Sequence, residues 1–425
     1  MLRALFLLLC LLAAPGLAAA DETAERDAIQ AEVKAAFWAG DFGRLDAMAD
    51  GWRDGAARTG SGRWKLGLFY ATFSSAPTIL GKDVDTAGID RLTAQADAWV
   101  GARPDSLVAP VVKGYALYHG AWLKRGNGFV AELGAGAMQA FLDASWDTLL
   151  YLDSVREREA REPQWYVLAL ETLLGVGAIA EFDATLDDAL EYHPRYDNLA
   201  FVAVRRNQAR WGGSPDTMEA TARRFAAAAG SPAEGDVAYA RFYWSAATGE
   251  YRQEVIAGTN ADWKKIRAGF RAIVADYPEP LNLNRFAWFA CIAQDKPTTR
   301  ELLTTLGDRI LPEVWEYAEM PQACLEWSNE PDHPAPAGMP EPYTFYIALA
   351  FEHGPDGALR PAGEPAMVAS AEEAVKAAEK AAPSHAGAIA WRIDPPREAV
   401  WPPPEVLFQH GEVISYEELS RRGRR

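Results

Sequence analysis

The chain has 425 residues, of which 59 are acidic and 42 are basic, so its formal net charge at pH 7 is −17. This charge disfavours a general binder of nucleic acids or of anionic membranes, because their phosphates require a basic surface. Three cysteines are too few for a disulfide scaffold. The length exceeds that of one small core, so we expect two domains or an elongated array of repeats.

Residues 1–20 have the layout of a secretory signal peptide. Arg3 precedes the apolar run ALFLLLCLLAA, and a Pro-Gly break leads to LAAAD. Ala18 and Ala20 occupy the −3 and −1 positions of a cleavage site, which predicts a mature chain that begins at Asp21. Cys10 follows three leucines, so we assign it to the apolar run rather than to a lipidation site. No later segment has the roughly 18 apolar residues of a membrane helix, and we expect a periplasmic or secreted protein.

Residues 21–327 show helical periodicity, with apolar positions at spacings of three and four. Two segments, EFDATLDDALEYHPRYDNLAFVAV and WKKIRAGFRAIVADYPEPLNLNRFAWFACIA, share one order of helix, tyrosine, proline and helix. Pro194 and Pro278 mark the same break, because proline cannot continue a helix. This pattern predicts a mainly α fold in which helical hairpins stack into a solenoid like that of tetratricopeptide repeats.

Tryptophans arrive about once per helix or helical pair along this region. Aromatic residues at helical spacing are usually buried, so we interpret these as spacers in the core rather than as ligand-stacking residues. They are Trp99, Trp122, Trp146, Trp165, Trp211, Trp244, Trp263, Trp288 and Trp315.

The stretch from Trp211 to Pro215 resembles a phosphate-binding loop or a helix corner. Gly212 and Gly213 can supply a left-handed helix end, Ser214 is a good N-cap, and Pro215 suits the first helical position. No Lys-Ser or Lys-Thr follows, and an aspartate stands where the last glycine of a nucleophile elbow belongs. We therefore predict a structural corner.

Three other patterns fall short of a cofactor or metal site. GVGAIA at 175–180 matches a dinucleotide-binding spacing but continues a helical run instead of following a strand. DVDTAGID at 83–90 lacks oxygen ligands at the fifth and twelfth positions of a calcium loop. The histidines show no zinc spacing, although His353, His385 and His410 could converge. We predict no cofactor, no metal and no catalytic residue.

Cys291 and Cys324 remain after signal cleavage, on predicted helices separated by one intervening helix. Such helices can lie side by side, so a disulfide is possible if the Cα atoms approach within about 7 Å. We favour two buried free thiols, because Cys291 within NRFAWFACIA has the pattern of a core residue and an array of this size does not need a bridge.

The periodicity changes at 328–342, SNEPDHPAPAGMPEP, which predicts a Pro-rich linker. Residues 343–417 then predict a small β-α-β-containing domain. Its strands are YTFYIALAFEH, AGAIAWRI and EVLFQHGEVIS, with a turn-rich GPDGALRPAGEP and a helix capped by Ser370 between the first two. Residues 418–425 form a basic tail, which we expect to be solvated.

Three runs together resemble a family of exported bacterial proteins of unknown function with a tetratricopeptide-like fold. They are the Trp-Gly-Gly-Ser corner, YARFYW at 239–244 and NLNRFAWFAC at 282–291, and the resemblance covers most of 60–317. It implies helical repeats, export and an interaction role, with no catalytic residues to transfer.

Two functions follow as hypotheses. The first is an exported scaffold or binding protein whose helical surface holds a peptide or protein partner, which solenoids do without any catalytic group. The second is a glycan-active or glycan-binding enzyme on a helical toroid, with aromatic stacking and paired carboxylates. We favour binding, because the connections are short and no pair of acids stands apart from ordinary solvated helix faces.

Overall fold

The computed structural model describes residues 22–126, 128, 133–249, 251–330, 345–354, 357–363, 365–368, 370–393 and 404–415. Contacts divide the chain after Glu330 into a helical unit and a sheet unit, and this division falls within the predicted linker. The predicted signal peptide, the rest of that linker and the basic tail lie outside the described residues. In the described part, no helix combines the length and apolar character needed to cross a membrane.

The described part of the helical unit contains seventeen α-helices, which confirms the mainly α prediction. They are α1 (Glu22–Ala39), α2 (Phe42–Asp54), α3 (Lys65–Ser74), α4 (Ala76–Leu80), α5 (Thr86–Ala102), α6 (Val108–Arg125), α7 (Ala137–Ser154), α8 (Arg156–Glu159), α9 (Pro163–Val176), α10 (Ile179–Tyr192), α11 (Asn198–Arg206), α12 (Pro215–Ala228), α13 (Pro232–Ala247), α14 (Trp263–Asp276), α15 (Pro280–Ile292), α16 (Lys296–Leu306) and α17 (Met320–Asn329).

One continuous apolar core joins these helices, because each hairpin buries its apolar face against its neighbours. Consecutive helices pack together, as in the pairs α5 with α6, α12 with α13 and α15 with α16. Helices α3, α6, α9, α11 and α13 form a second set of neighbours across the hairpins. The apolar residues Ile29, Val33, Ala36 and Phe37, at spacings of three and four, form the buried stripe of α1.

The tryptophan prediction is correct for Trp99 and Trp288, which are almost fully buried, but wrong for Trp146. The side chain of Trp146 is 48% exposed, and Leu150, one turn later on α7, is 67% exposed. The buried residues of α7 include Phe141 and Leu152 instead. Helix α7 is apolar on two sides, so periodicity alone did not identify the buried one.

The expectation of free thiols is wrong, because Cys291 and Cys324 form a disulfide with Cα atoms 5.9 Å apart. Helix α16 packs against both α15 and α17, so the helices that carry the two cysteines lie close together. Cys291 is only partly buried at the edge of the core. The apolar residues around it in the sequence therefore gave a misleading indication of its burial.

The sheet unit contains β1 (Phe345–His353), β2 (Leu359–Pro361), β3 (Ala366–Val368), α18 (Ala371–Ala381), β4 (Gly387–Ile393) and β5 (Glu405–Gly411). Strand β1 pairs antiparallel with β2, β3 and β4, and β4 pairs antiparallel with β5. The turn-rich segment predicted between β1 and α18 thus contains two short strands. They return the chain to the start of β1, so α18 leads into an antiparallel β4 rather than the parallel strand of a common β-α-β crossover.

Alternation along the strands gives this sheet two different buried faces. On one face, Ala348, Ala388 and Ala390 of the strands pack against Ala374 and Ala378 of α18, whose N-cap is Ser370 as predicted. These small residues, with Ala382 just after the helix, allow the helix to approach the strands closely. Larger residues such as Phe351, Ile389 and Trp391 form the opposite cluster.

Candidate functional site

The corner at Trp211–Pro215 has the structure that the sequence predicts. Gly212 adopts a left-handed conformation with φ of 76°, and Pro215 is the first residue of α12. The hydroxyl of Ser214 accepts a hydrogen bond from the amide of Thr217, whose own hydroxyl accepts one from the amide of Ser214. The polar groups of this corner therefore bond to one another, which is the behaviour of a structural corner.

The other motifs weighed in the sequence also have structural roles. Gly177, within GVGAIA, ends α9 in a left-handed conformation, and α10 begins two residues later. Asp85, within DVDTAGID, is the N-cap of α5. No cluster of three or more His, Cys, Asp or Glu side chains suited to a metal ion occurs among the described residues.

A different segment, loop 55–64 between α2 and α3, organises the most distinctive site of the helical unit. Helix α1 holds this loop from one side. The carboxylate of Glu22 accepts hydrogen bonds from the hydroxyl of Thr59 at 3.3 Å and from the amide of Ser61 at 3.4 Å. The carboxylate of Glu25 forms an ion pair of 2.7 Å with Lys65, at the start of α3. The loop is thereby fixed to the first turn of the described chain.

The loop also contacts both of the Tyr-Pro corners that the sequence shows as a repeat. At the first corner, Trp64 donates from Nε1 to the carbonyl of Arg195 at 2.6 Å. At the second, Asn282 donates from Nδ2 to the carbonyl of Ser61 at 3.1 Å. A methyl group on Gly62 would lie 2.6 Å from the Tyr277 ring, so the backbone approaches the second corner closely. Loop 55–64 thus brings the two repeats to one place.

Between the loop and these corners lies a cavity of about 240 Å³, which we call the corner cleft. Asp197 accepts from Arg58 Nη1 at 3.2 Å and forms an ion pair of 3.4 Å with Arg241. Burial lowers the pKa of Arg58 although Asp197 opposes this effect. The residues that line the corner cleft are Arg58, Gly62, Pro194, Arg195, Tyr196, Asp197, Ala200, Phe225, Ala229, Glu234, Val237, Ala238, Arg241, Asp276 and Tyr277.

A second cavity of about 240 Å³ shares Asp197 and Arg241 with the corner cleft, and we call it the arginine cleft. The guanidinium of Arg63 lies 5.5 Å from the centre of the Phe201 ring. Burial lowers the pKa of Arg63 and the charge of Arg26 lowers it further, whereas the charges of Asp197 and Glu22 oppose this. The lining residues are Arg63, Asp197, Phe201, Arg241, Trp244, Ser245 and Thr248.

Arg285 on α15 does not line the arginine cleft, but it contacts Trp244, which does. It lies 5.6 Å from the ring centre of Trp244 and 5.4 Å from that of Trp288. Burial lowers the pKa of Arg285 to about 10, although the charge of Glu316 opposes the effect. In the described part of the chain, its buried Nε has no hydrogen-bond partner. A cation in this state is stabilised by any anion that comes near.

The buried acids elsewhere in the unit are tied to neighbouring residues. Burial raises the pKa of Glu171, which forms an ion pair of 3.5 Å with Arg205. Glu219 accepts hydrogen bonds from the hydroxyls of Tyr239 and Tyr243 at 2.5 and 2.7 Å. These contacts bridge neighbouring elements of the array, and they leave the acids paired rather than directed at a reacting group.

Sequence reasoning found the Tyr-Pro corners but missed Arg58, Arg63 and Arg241 as site residues. Two arginines flank a Gly-Ser-Gly turn in RTGSGR at 58–63, in a strongly acidic chain, and this was the available signal. Arg241 lies within the YARFYW run, where aromatic residues dominate the pattern. Neither segment indicates by itself that Arg58 and Arg241 both contact Asp197.

No family model, no curated protein and no solved structure matches this chain.

Proposed function

We propose that this chain is an exported binding protein whose helical unit holds a segment of a peptide or protein partner in the corner cleft. The observation that carries the proposal is the meeting of loop 55–64 with both Tyr-Pro corners around this cavity. A scaffold that brings three separate segments together presents several fixed polar groups and aromatic surfaces at once. Such a surface can recognise a ligand without any catalytic group.

The lining of the cleft suits a peptide. The side chains of Val237, Ala238 and Tyr277 contribute apolar surface, while Arg195 and Glu234 lie at the exposed side as an ion pair of 3.3 Å. Peptides combine apolar side chains with backbone donors and acceptors, so a mixed lining of this kind complements them.

The glycan-active alternative has less support. Inverting and retaining glycosidases both need two carboxyl groups that face the scissile bond, one of them able to donate a proton. Asp197 contacts two arginines and Glu234 contacts one, so both acids of the corner cleft are engaged in ion pairs. This pairing favours binding over acid–base chemistry.

Selection of a displayed random-peptide library on the mature chain tests the proposal. We expect one or a few related sequences to be enriched, and we expect Ala238→Trp to weaken their binding at least tenfold because the new ring fills the cleft. Ala275→Trp, on an exposed position of α14, is the matched control and should leave binding unchanged. Absence of enrichment, or equal binding to Ala238→Trp, would refute the proposal.

Export is tested separately by N-terminal sequencing of the protein recovered outside the cytoplasm. We expect Asp21 as the first residue, because Ala18 and Ala20 form the predicted cleavage site. A chain that still begins at Met1, or one that carries lipid on Cys10, would contradict this localisation.

A further inference from the structure

We propose that the arginine cleft binds an oxyanion, a carboxylate or a phosphate, carried next to a planar apolar group of the ligand. The inference rests on the proposed function, because it specifies the charge carried by the partner segment that we propose to bind in the adjoining corner cleft. It is drawn from the arrangement of Arg63 and Arg241 beside Trp244 and Phe201.

Arg241 is held in a defined orientation. Its Nη2 donates to the carbonyl of Gly62 at 3.3 Å, and its Nη1 lies 3.4 Å from Asp197 Oδ2. Arg58 donates to the same carbonyl and to the same carboxylate, each at 3.2 Å. Asp197 therefore shares one negative charge between two guanidinium groups. The local balance at this point is positive, although the chain as a whole is acidic.

Arg63 has no such partner. Among the described residues its guanidinium makes no ion pair and no hydrogen bond, and it lies beside the ring of Phe201. A partly buried guanidinium without an acceptor is unfavourable in the empty protein. A bound oxyanion would supply the acceptor, and guanidinium groups match the geometry of carboxylates and phosphates.

The aromatic residues define the rest of the ligand. Phe201 is 39% exposed, so its side chain is accessible to a bound group, and Trp244 lines the same cavity. Ring faces next to the guanidinium groups of Arg63 and Arg241 suit a planar group that carries negative charge.

The two clefts share Asp197 and Arg241, so one ligand can occupy both. A segment held in the corner cleft would place an acidic side chain or a phosphorylated residue in the arginine cleft. This arrangement gives the partner a chemical signature, a negative charge next to a ring or a comparable flat apolar group.

Isothermal titration calorimetry of the mature chain with four probes tests the inference: benzoate, phenyl phosphate, inorganic phosphate and phenol. We expect benzoate or phenyl phosphate to bind at least tenfold more tightly than phenol, which has the ring without the charge. We also expect phenyl phosphate to bind more tightly than inorganic phosphate, because its ring packs against the aromatic side chains of the arginine cleft. Tighter binding of benzoate identifies a carboxylate as the oxyanion, and tighter binding of phenyl phosphate identifies a phosphate.

Arg63→Gln should weaken the better probe at least tenfold, while Arg195→Gln, which removes the same charge from the exposed side of the corner cleft, should change it less than twofold. Arg63→Gln should change Tm little, because the Arg63 guanidinium makes no ion pair and no hydrogen bond among the described residues. The inference is overturned if no anion binds better than phenol, or if both variants lose binding equally. Selected peptides that bind while these anions do not would leave the corner-cleft proposal standing and reject this inference alone.

Discussion

Two corners of the helical unit differ in where their polar groups find partners. The corner at 211–215 bonds within itself, through Ser214 and Thr217. The corner at 193–197 bonds to residues more than a hundred positions away, because Arg195 accepts from Trp64 and Asp197 pairs with Arg58. A corner that satisfies its own groups is only a connection, whereas a corner that depends on a distant loop can form the wall of a cleft.

The largest expected effect comes from the anchor that joins α2, just before loop 55–64, to α9. Glu162 is fully buried and accepts from Arg53 at 2.8 Å, and its charge helps to raise the pKa of Arg53 against the effect of burial. Glu162→Ala leaves Arg53 without this partner and should lower the free energy of unfolding by about 3 to 5 kcal/mol. Urea unfolding measures it. Glu234→Ala, which breaks an exposed ion pair, is the control and should cost at most about 1 kcal/mol.

The disulfide is a covalent long-range link that lies outside both corners. Reduction of Cys291 and Cys324 should lower stability by about 3 to 4 kcal/mol, because it removes the constraint on the unfolded chain. Thiol titration of the denatured mature chain should find no free thiol before reduction and two after it. Two thiols in the unreduced protein would show that the link is absent.

Gly213→Ala tests whether the local corner is as tightly built as its hydrogen bonds indicate. The new Cβ would lie 2.1 Å from the backbone of Asn207, so the corner must shift, and we expect a loss of about 1 to 3 kcal/mol. Gly212→Ala meets open space but retains a positive φ, which should cost about 1 kcal/mol. If Gly212→Ala proves the more damaging change in urea unfolding, the corner is held by backbone conformation rather than by close packing.

Two changes of similar energy should have different consequences at the two corners. Trp64→Phe removes the hydrogen bond to Arg195, and Ser214→Ala removes a helix cap, each at about 1 kcal/mol. Hydrogen exchange should accelerate at 55–64 and 195–197 only in Trp64→Phe, because the Trp64 bond joins the loop to the corner at Arg195, whereas the Ser214 cap acts only within its own corner. Equal acceleration of those segments in Ser214→Ala would remove the distinction between the corners.

The smallest effect concerns pH. Burial lowers the pKa of His193, although the contact of its Nε2 with the carbonyl of Ala160, at 2.9 Å, opposes this. The unfolded chain therefore binds a proton more readily than the folded one, and stability present above pH 6.5 should fall as the pH decreases through the unfolded pKa of about 6.5. His193→Gln should reduce this dependence. Urea unfolding of this variant and of the unchanged protein at pH 5.5 and pH 8 measures the difference.

The sequence alone determined the features that depend on neighbouring residues. The caps at Ser214 and Ser370, the break at Pro194 and the buried stripe of α1 follow from backbone sterics, local hydrogen bonds and periodicity within one helix. These causes act over a few residues, so they are visible in the order of the amino acids.

Only the tertiary structure decided which of these local elements meet. Cys291 and Cys324 are joined because α16 packs against both of their helices. Trp146 is exposed because α7 packs against its neighbours through its other apolar side. Arg58 and Asp197 are 139 positions apart in the chain and share a hydrogen bond because loop 55–64 crosses the corner. Such contacts arise from the packing of the whole array, so the spacing of residues along the sequence does not predict them.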